Sequence, residues 1–288
     1  MQRLVTFLFI FLLSVSKQVN SQTAQDSSVV VKYNSPGTVF DGKPYHIKPK
    51  LDIPIAVGAT AWTLYGFSVV YNRDTVTAAE LGTLNRNNVD NLDRGTTRNY
   101  SENARKASDK FFYGSMGLPF FLLLDKRIRK DAGNVGLLYL ETMATTGTIY
   151  TIAAMSANRF RPYAYNTDVP IAKRSRGGSR NSFFAGHPSI VGTSTFFIAG
   201  VYSHYHPEMK NKWILYTAAA AATLTTGYLR YKAGQHFPTD IIVGTLIGPT
   251  VGLLVPHFHN YKNKDRRLSF SPHFNQYGSG VTAFYKLK

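Results

Sequence analysis

The chain has 288 residues, 44% of them hydrophobic, which suffices for one large domain or two small ones with a full core. Lysine and arginine outnumber aspartate and glutamate by 33 to 16, and the resulting net charge of +17 suits anionic partners such as phosphorylated substrates or acidic headgroups. Nucleic acid is disfavoured because no Lys/Arg block of nuclear-signal type and no base-reading motif occurs; the absence of cysteine excludes disulfides, zinc thiolates and a cysteine nucleophile.

In chain order, the first element reads as a secretory signal over residues 1–21. Met1-Gln2-Arg3 supplies the positive start, Leu4 to Val15 the apolar run, and Val19-Asn20-Ser21 the cleavage region; the alternative is an uncleaved anchor. Residues 22–50 are polar and aperiodic and read as an extended arm. Residues 51–260 carry the main domain. Its apolar helix candidates are 55–71, 111–124, 135–157, 189–205, 213–228 and 241–258, six in all, with small residues recurring so that helices can approach closely. Residues 72–110 read as short helices and loops. Asp125 to Lys130 is a basic break. The tail, 261–288, is strand-like at Leu268-Ser269-Phe270 and Val281 to Leu287, with a turn expected at Gly278-Ser279-Gly280.

Three segments at helix junctions carry the chemistry. Arg159-Phe160-Arg161-Pro162 follows the third helix, Phe184-Ala185-Gly186-His187-Pro188 opens the fourth, and Arg230, His236 and Asp240 lie between the fifth and sixth. Pro238 suits the first position of a helix, which puts Asp240 in its first turn. From there Asp240 is expected to reach back to His236, fix its tautomer and leave the other nitrogen free to attack. Arg230 offers a planar fork for phosphate oxygens. Gly186 lets the backbone approach an anion at a helix start, and His187 can protonate a leaving oxygen. A nucleophile, an acid and cations around equatorial oxygens are what phosphoryl transfer requires.

These segments resemble the signature of the type 2 phosphatidic acid phosphatase (PAP2) superfamily, which also holds the vanadium haloperoxidases. Its motifs are Lys-(six)-Arg-Pro, Pro-Ser-Gly-His and Ser-Arg-(five)-His-(three)-Asp. Arg161-Pro162, Gly186-His187 and Arg230, His236 and Asp240 match, in the family's order. The resemblance implies an all-α, PAP2-type helical bundle of about six helices, membrane-embedded, with a short β-like tail added here. It implies His236 as nucleophile, Asp240 as its orienter, His187 as general acid, and Arg161 and Arg230 as phosphate clamps beside Gly186. The motif lysine falls at Ala154, its second-motif serine at Ala185 and proline at Phe184, and its third-motif serine at Leu229. Arg159 is the candidate to replace the lysine as a phosphate contact.

The activity implied is that of a metal-independent PAP2-type acid phosphatase or lipid phosphate phosphatase. It would cleave a phosphate monoester or pyrophosphate through a phosphohistidine, with a phosphorylated lipid as substrate, membrane lipids as surroundings, and no cofactor or metal. The alternatives are a non-catalytic lipid- or anion-binding homologue and a vanadium-dependent haloperoxidase. Export across the inner membrane with a site facing the periplasm is expected. Two arrangements stay open: a membrane-embedded bundle, or a compact periplasmic globule for which the mean hydropathy of −0.16 speaks. Cleaving the signal and crossing six times would put the motifs inside, whereas the basic 126–130 loop asks for the reverse. His204, His206, His257 and His259 read as helix-end residues, because a metal needs three or four converging ligands. Glu141, inside an apolar helix, reads equally as functional or as paired with a neighbour.

Overall fold

The computed structural model describes residues 43–260, 268–275 and 278–285. The expected signal, residues 1–21, and most of the expected arm lie outside the described residues. Six long helices form the bundle: α1 (Pro49–Tyr71), α2 (Glu102–Gly117), α3 (Ala132–Ala157), α4 (Gly186–Tyr205), α5 (Trp213–Lys232) and α6 (Pro238–His259). Short helices and turns fill residues 78–98, as expected for that polar stretch.

The second helix departs from expectation. It starts at Glu102, where Ser101 caps it by accepting the Ala104 N–H, and ends at Gly117; the apolar run Leu118–Leu124 continues as a 3-10 turn. Pro119 lacks an N–H and clashes with the preceding turn, so an α-helix across it was disfavoured. The arm is also shorter than expected, because α1 starts at Pro49. Before it, Tyr45 is buried, bridges to Asn260 after α6, and bonds His204 Nδ1 through its hydroxyl at 2.8 Å.

The tail forms an antiparallel hairpin, β1 (Leu268–Asn275) with β2 (Gly278–Tyr285). Asn275 pairs with Gly278, so Gly278-Ser279-Gly280 begins the second strand rather than making the turn.

Close approach of α4 and α6 holds the bundle together. Gly244, Gly248 and Gly252 on α6 recur every fourth residue and so share one face. A Cβ at these positions would lie 2.3 Å from the Ala185 carbonyl oxygen, 2.0 Å from that of Ser189 and 2.5 Å from that of Thr193. The two helices thus run in the same direction with backbones in contact, and both N-termini come to one end of the bundle. α1 and α3 meet likewise, Gly66 against Thr151 and Gly147 against Thr63. Side chains cannot move these backbone oxygens aside, so Gly248→Ala is expected to cost about 1–3 kcal/mol, the scale of core overpacking. The melting temperature would report it; no change would mean that α4 and α6 separate freely.

Several threonine hydroxyls inside the bundle are satisfied locally. Thr142 and Thr146 donate to carbonyls one turn earlier, and Thr146 also meets Thr193 across the α3–α4 seam at 2.9 Å. Much of the outer surface is apolar. Leu64 and Tyr65 on α1, Phe120 and Phe121, Leu224 on α5 and Leu246 on α6 are each at least 60% exposed. Among the described residues, two helices, Pro49–Tyr71 and Pro238–His259, are long and apolar enough to cross a membrane.

Candidate active site

The converging N-termini of α4 and α6 build the site. The Asp240 carbonyl accepts the Ala185 N–H at 3.0 Å, tying the second segment to the third. Between α5 and α6 the chain turns at Gly234, whose φ of +64° is left-handed and where a Cβ would lie 2.0 Å from the Asn99 carbonyl oxygen. Glycine alone meets both demands. His236 follows, 1% exposed.

The expected Asp240–His236 contact is replaced by another. His236 Nδ1 lies 2.6 Å from the Ser182 carbonyl oxygen. A carbonyl only accepts, so Nδ1 carries the proton and Nε2 keeps its lone pair. Asp240, fully buried, accepts instead from Ser182 Oγ at 2.6 Å, from the Phe237 N–H at 3.0 Å and from Arg159 Nη1 at 2.5 Å. It therefore orients His236 at one remove, by holding Ser182. The physical reason lies in the first turn of α6. There the carboxylate serves as N-terminal cap for the Phe237 amide and as counter-charge for Arg159, which aims both its oxygens away from the imidazole.

Arg159 is a second correction. Its guanidinium lies over the Phe237 ring at 4.2 Å and donates to Asp93 Oδ2 at 2.6 Å, to Thr239 Oγ1 at 2.9 Å and to Asp240. Two buried carboxylates neutralise it, so its donors latch the start of α6 where the expectation had them at a phosphate. At the lysine position Ala154 is buried, and its carbonyl accepts Arg73 Nη2 at 2.7 Å. Arg73 brings a cation near that place, but its Nη1 and Nη2 are engaged by the end of α3, by the Met155 and Arg180 carbonyls and by Asn158.

Arg161 and Arg230 do converge. Arg161 Nη1 and Arg230 Nη2 both reach the Gln235 amide oxygen, at 2.6 and 3.4 Å. Arg230 is 3% exposed, and its Nε has no hydrogen-bond partner. Two guanidinium groups meeting at one acceptor, with a donor to spare, are an arrangement suited to an oxyanion. Gly186 opens α4, where a Cβ would sit 2.8 Å from the Tyr150 ring. His187 stacks on Phe112 at 4.4 Å, and its Nε2 lies 3.0 Å from Asp109 Oδ1.

Asp109 was missed by sequence reasoning. It also accepts from Arg230 at 3.2 Å and from Arg105 at 2.7 Å, joining the acid candidate to the clamp. Ser182, Asp93 and Gln235 were missed too. Asp93 and Asp109 lie in the polar stretch read as short helices and loops, to which no site residue was assigned; the i,i+4 spacing of Arg105 and Asp109 was the available sign that a longer helix begins there. Beside Gln235 opens a cavity of about 400 Å³, lined also by Tyr100, Tyr163, Arg105, Lys173, Arg176 and Glu102, which pairs with Arg105 and Lys173.

Residues 135–264 match the family model described as the PAP2 superfamily. This segment belongs to the PAP2 superfamily. It carries all seven matched motif residues, and α4 and α6 bring the second and third PAP2 motifs together. A solved structure of a transmembrane PAP2 type phosphatidylglycerolphosphate phosphatase from Bacillus subtilis is similar at 20% identity, over 72% of this chain and 91% of that one, with a TM-score of 0.37. No curated protein matches the sequence.

Burial, and then the charges of Arg161 and Arg230, hold the His236 imidazole well below its ordinary value of 6.5. An imidazole can act as a nucleophile only when neutral, so if His236 has that role kcat/KM is expected to persist as pH falls through 6.5 and to fail only well below it. An acidic limb centred on 6.5 would show that His236 titrates as an exposed imidazole. The same shift works against folding in acid. Below 6.5 the unfolded chain takes a proton that the native imidazole refuses, so this contribution to stability is full above 6.5 and declines beneath it.

Proposed function

We propose that the chain is a metal-independent phosphatase that hydrolyses a phosphate monoester or pyrophosphate on a lipid through a phosphohistidine at His236. The observation that carries this reading is the pairing of a bare His236 Nε2 with two arginines converging on one acceptor. In the first step Nε2 attacks phosphorus and the bond to the leaving oxygen breaks. Arg161 and Arg230 take the equatorial oxygens, displacing the Gln235 amide oxygen that now sits between them. His187 protonates the departing alkoxide. Its Nε2 is engaged with Asp109, which leaves Nδ1 to pass the proton; burial, and then Arg230, push the imidazole down to about 4 against the opposing pull of Asp109, so its proton is readily given up. In the second step water attacks the phosphohistidine, His187 takes a proton from it, and free phosphate leaves with His236 regenerated.

A lipid substrate is supported by the outer surface. Helices as apolar as α1 and α6 are normally buried in a soluble protein, yet only 17% of the apolar window of α1 and 28% of that of α6 are buried inside the bundle. That surface fits an acyl-chain environment, and a charged headgroup would enter by the cavity of Arg105, Lys173 and Arg176. The basic run 126–130 packs at the other end, where Arg127 donates to the last carbonyl of α4, that of Tyr205. With that run on the cytoplasmic side, the site faces the periplasm, and Tyr45, which neighbours His204, stays inside. Removal of a secretory signal would leave Tyr45 outside and is incompatible with this orientation. The chain lacks cysteine, so single cysteines at Lys126 and Lys173, probed with an impermeant maleimide, separate the two cases. Labelling at Lys126→Cys alone in intact cells would reverse the orientation.

The activity itself is tested by phosphate release from the detergent-purified protein, offered a panel of lipid phosphates and a small soluble phosphomonoester in EDTA. Release that prefers lipids and survives the chelator is expected. Binding of lipid phosphate without turnover would select the non-catalytic reading, and bromide oxidation by peroxide with added vanadate would select the haloperoxidase.

A further inference from the structure

We propose that Asp52, Glu141 and His259 form a binding site for one divalent transition-metal cation of the zinc type, at the end of the bundle opposite His236. The three residues come from α1, α3 and α6, and their ligand atoms all lie within 4.8 Å of one another. The site is separate from the catalytic centre: the 19 steps from Asp240 to His259 along α6 span about 28 Å at 1.5 Å per residue.

Three observations carry the assignment. First, His259 Nδ1 lies 2.8 Å from the Val255 carbonyl oxygen, so Nδ1 holds the proton and Nε2 presents a lone pair. A backbone carbonyl on the far nitrogen is the usual support behind a metal-binding imidazole. Second, Nε2 faces Asp52 Oδ2 and Glu141 Oε2, each at 3.6 Å. That is too long for a hydrogen bond, and close to the roughly 3.3 Å between ligand atoms around a tetrahedral ion with bonds near 2.0–2.1 Å. Third, Glu141 is 8% exposed and its Oε2 is buried with no hydrogen-bond partner. A carboxylate oxygen in that condition is costly unless a cation meets it. Asp52 contributes an oxygen already oriented by the Lys48 N–H at 2.6 Å.

Two carboxylates and a neutral imidazole sum to a charge of −2, which a divalent ion cancels. One imidazole argues against magnesium and calcium, and the lack of a thiolate against soft ions, leaving zinc, manganese or ferrous iron. Three protein ligands leave a fourth position for water. The ion would tie together the start of α1, the middle of α3 and the end of α6. Glu141 thus acquires a partner, and His259 becomes a ligand although its neighbour His257 need not be one.

The test uses the full chain, purified in detergent, stripped with chelator and then titrated with zinc. One zinc per chain is expected by elemental analysis, and the melting temperature is expected to rise by about 5–10 °C at saturating ion. His259→Gln and Glu141→Gln should each lose both effects. His236→Ala should keep both, which separates this site from zinc caught by the catalytic histidines and keeps its outcome independent of the phosphatase reading. The proposal fails if the stripped wild-type chain takes up no zinc and its melting temperature does not move, because the three groups would then share protons instead. It also fails if stoichiometric zinc persists in folded His259→Gln or disappears in His236→Ala. Should the α3 and α6 variants not fold, the wild-type titration alone decides.

Discussion

His236→Ala is expected to lower kcat for phosphate release by at least about 10⁴-fold, because a covalent route loses its nucleophile altogether. No neighbour can substitute. Asp240 is occupied by Ser182, Phe237 and Arg159, and His187 is stacked on Phe112 and held by Asp109. Turnover should be read beside the circular dichroism spectrum, since the imidazole also satisfies the Ser182 carbonyl. His187→Ala should behave differently. A general acid is worth about 10²–10⁴-fold, and phosphoryl transfer to His236 would still occur from a substrate whose leaving group needs no proton. A labelled phosphoenzyme that accumulates in His187→Ala and is missing in His236→Ala would establish both roles. Activity of His236→Ala within tenfold of the parent would remove the phosphohistidine from the mechanism.

The second large effect concerns stability. Asp240→Asn or Arg159→Ala is expected to destabilise the fold by about 3–5 kcal/mol, the range for breaking a buried ion pair and stranding the remaining charge. Asp93 and Asp240 are both fully buried and share the one guanidinium of Arg159. Removing Arg159 leaves two carboxylates without their cation; removing the Asp240 charge also unhooks Ser182. Thermal melting should fall by about 6–20 °C, with little change in KM for Arg159→Ala wherever the variant is folded. An unchanged melting temperature with a tenfold rise in KM would restore Arg159 as a phosphate contact.

Such residues mark the boundary between local and tertiary information. The helices were legible because length, hydropathy and breakers are local. Pro238 started α6, Asp240 fell in its first turn, and Ser101, not singled out, was the cap that would have revealed α2. The motif residues were legible because spacing around a helix junction restricts which side chains can meet. His236, His187, Arg161 and Arg230 do come to one end of the bundle, through the α4–α6 glycine contact.

Partner choice was not legible, because it is decided by which oxygen lies nearest after the helices pack. Ser182, not Asp240, takes the proton side of His236, since Arg159 and the α6 amide draw Asp240 away. Asp93 and Asp109 gain their roles only when a polar stretch folds over the junction, and no spacing links Asp93 to Arg159 or Asp109 to His187. Glu141 shows the same limit. Within its own helix it is an isolated carboxylate in apolar sequence; only the crossing of α1, α3 and α6 sets Asp52 and His259 before it. Chain-local chemistry chose the elements and the candidate site residues, while the long-range packing of backbones decided which charges face each other.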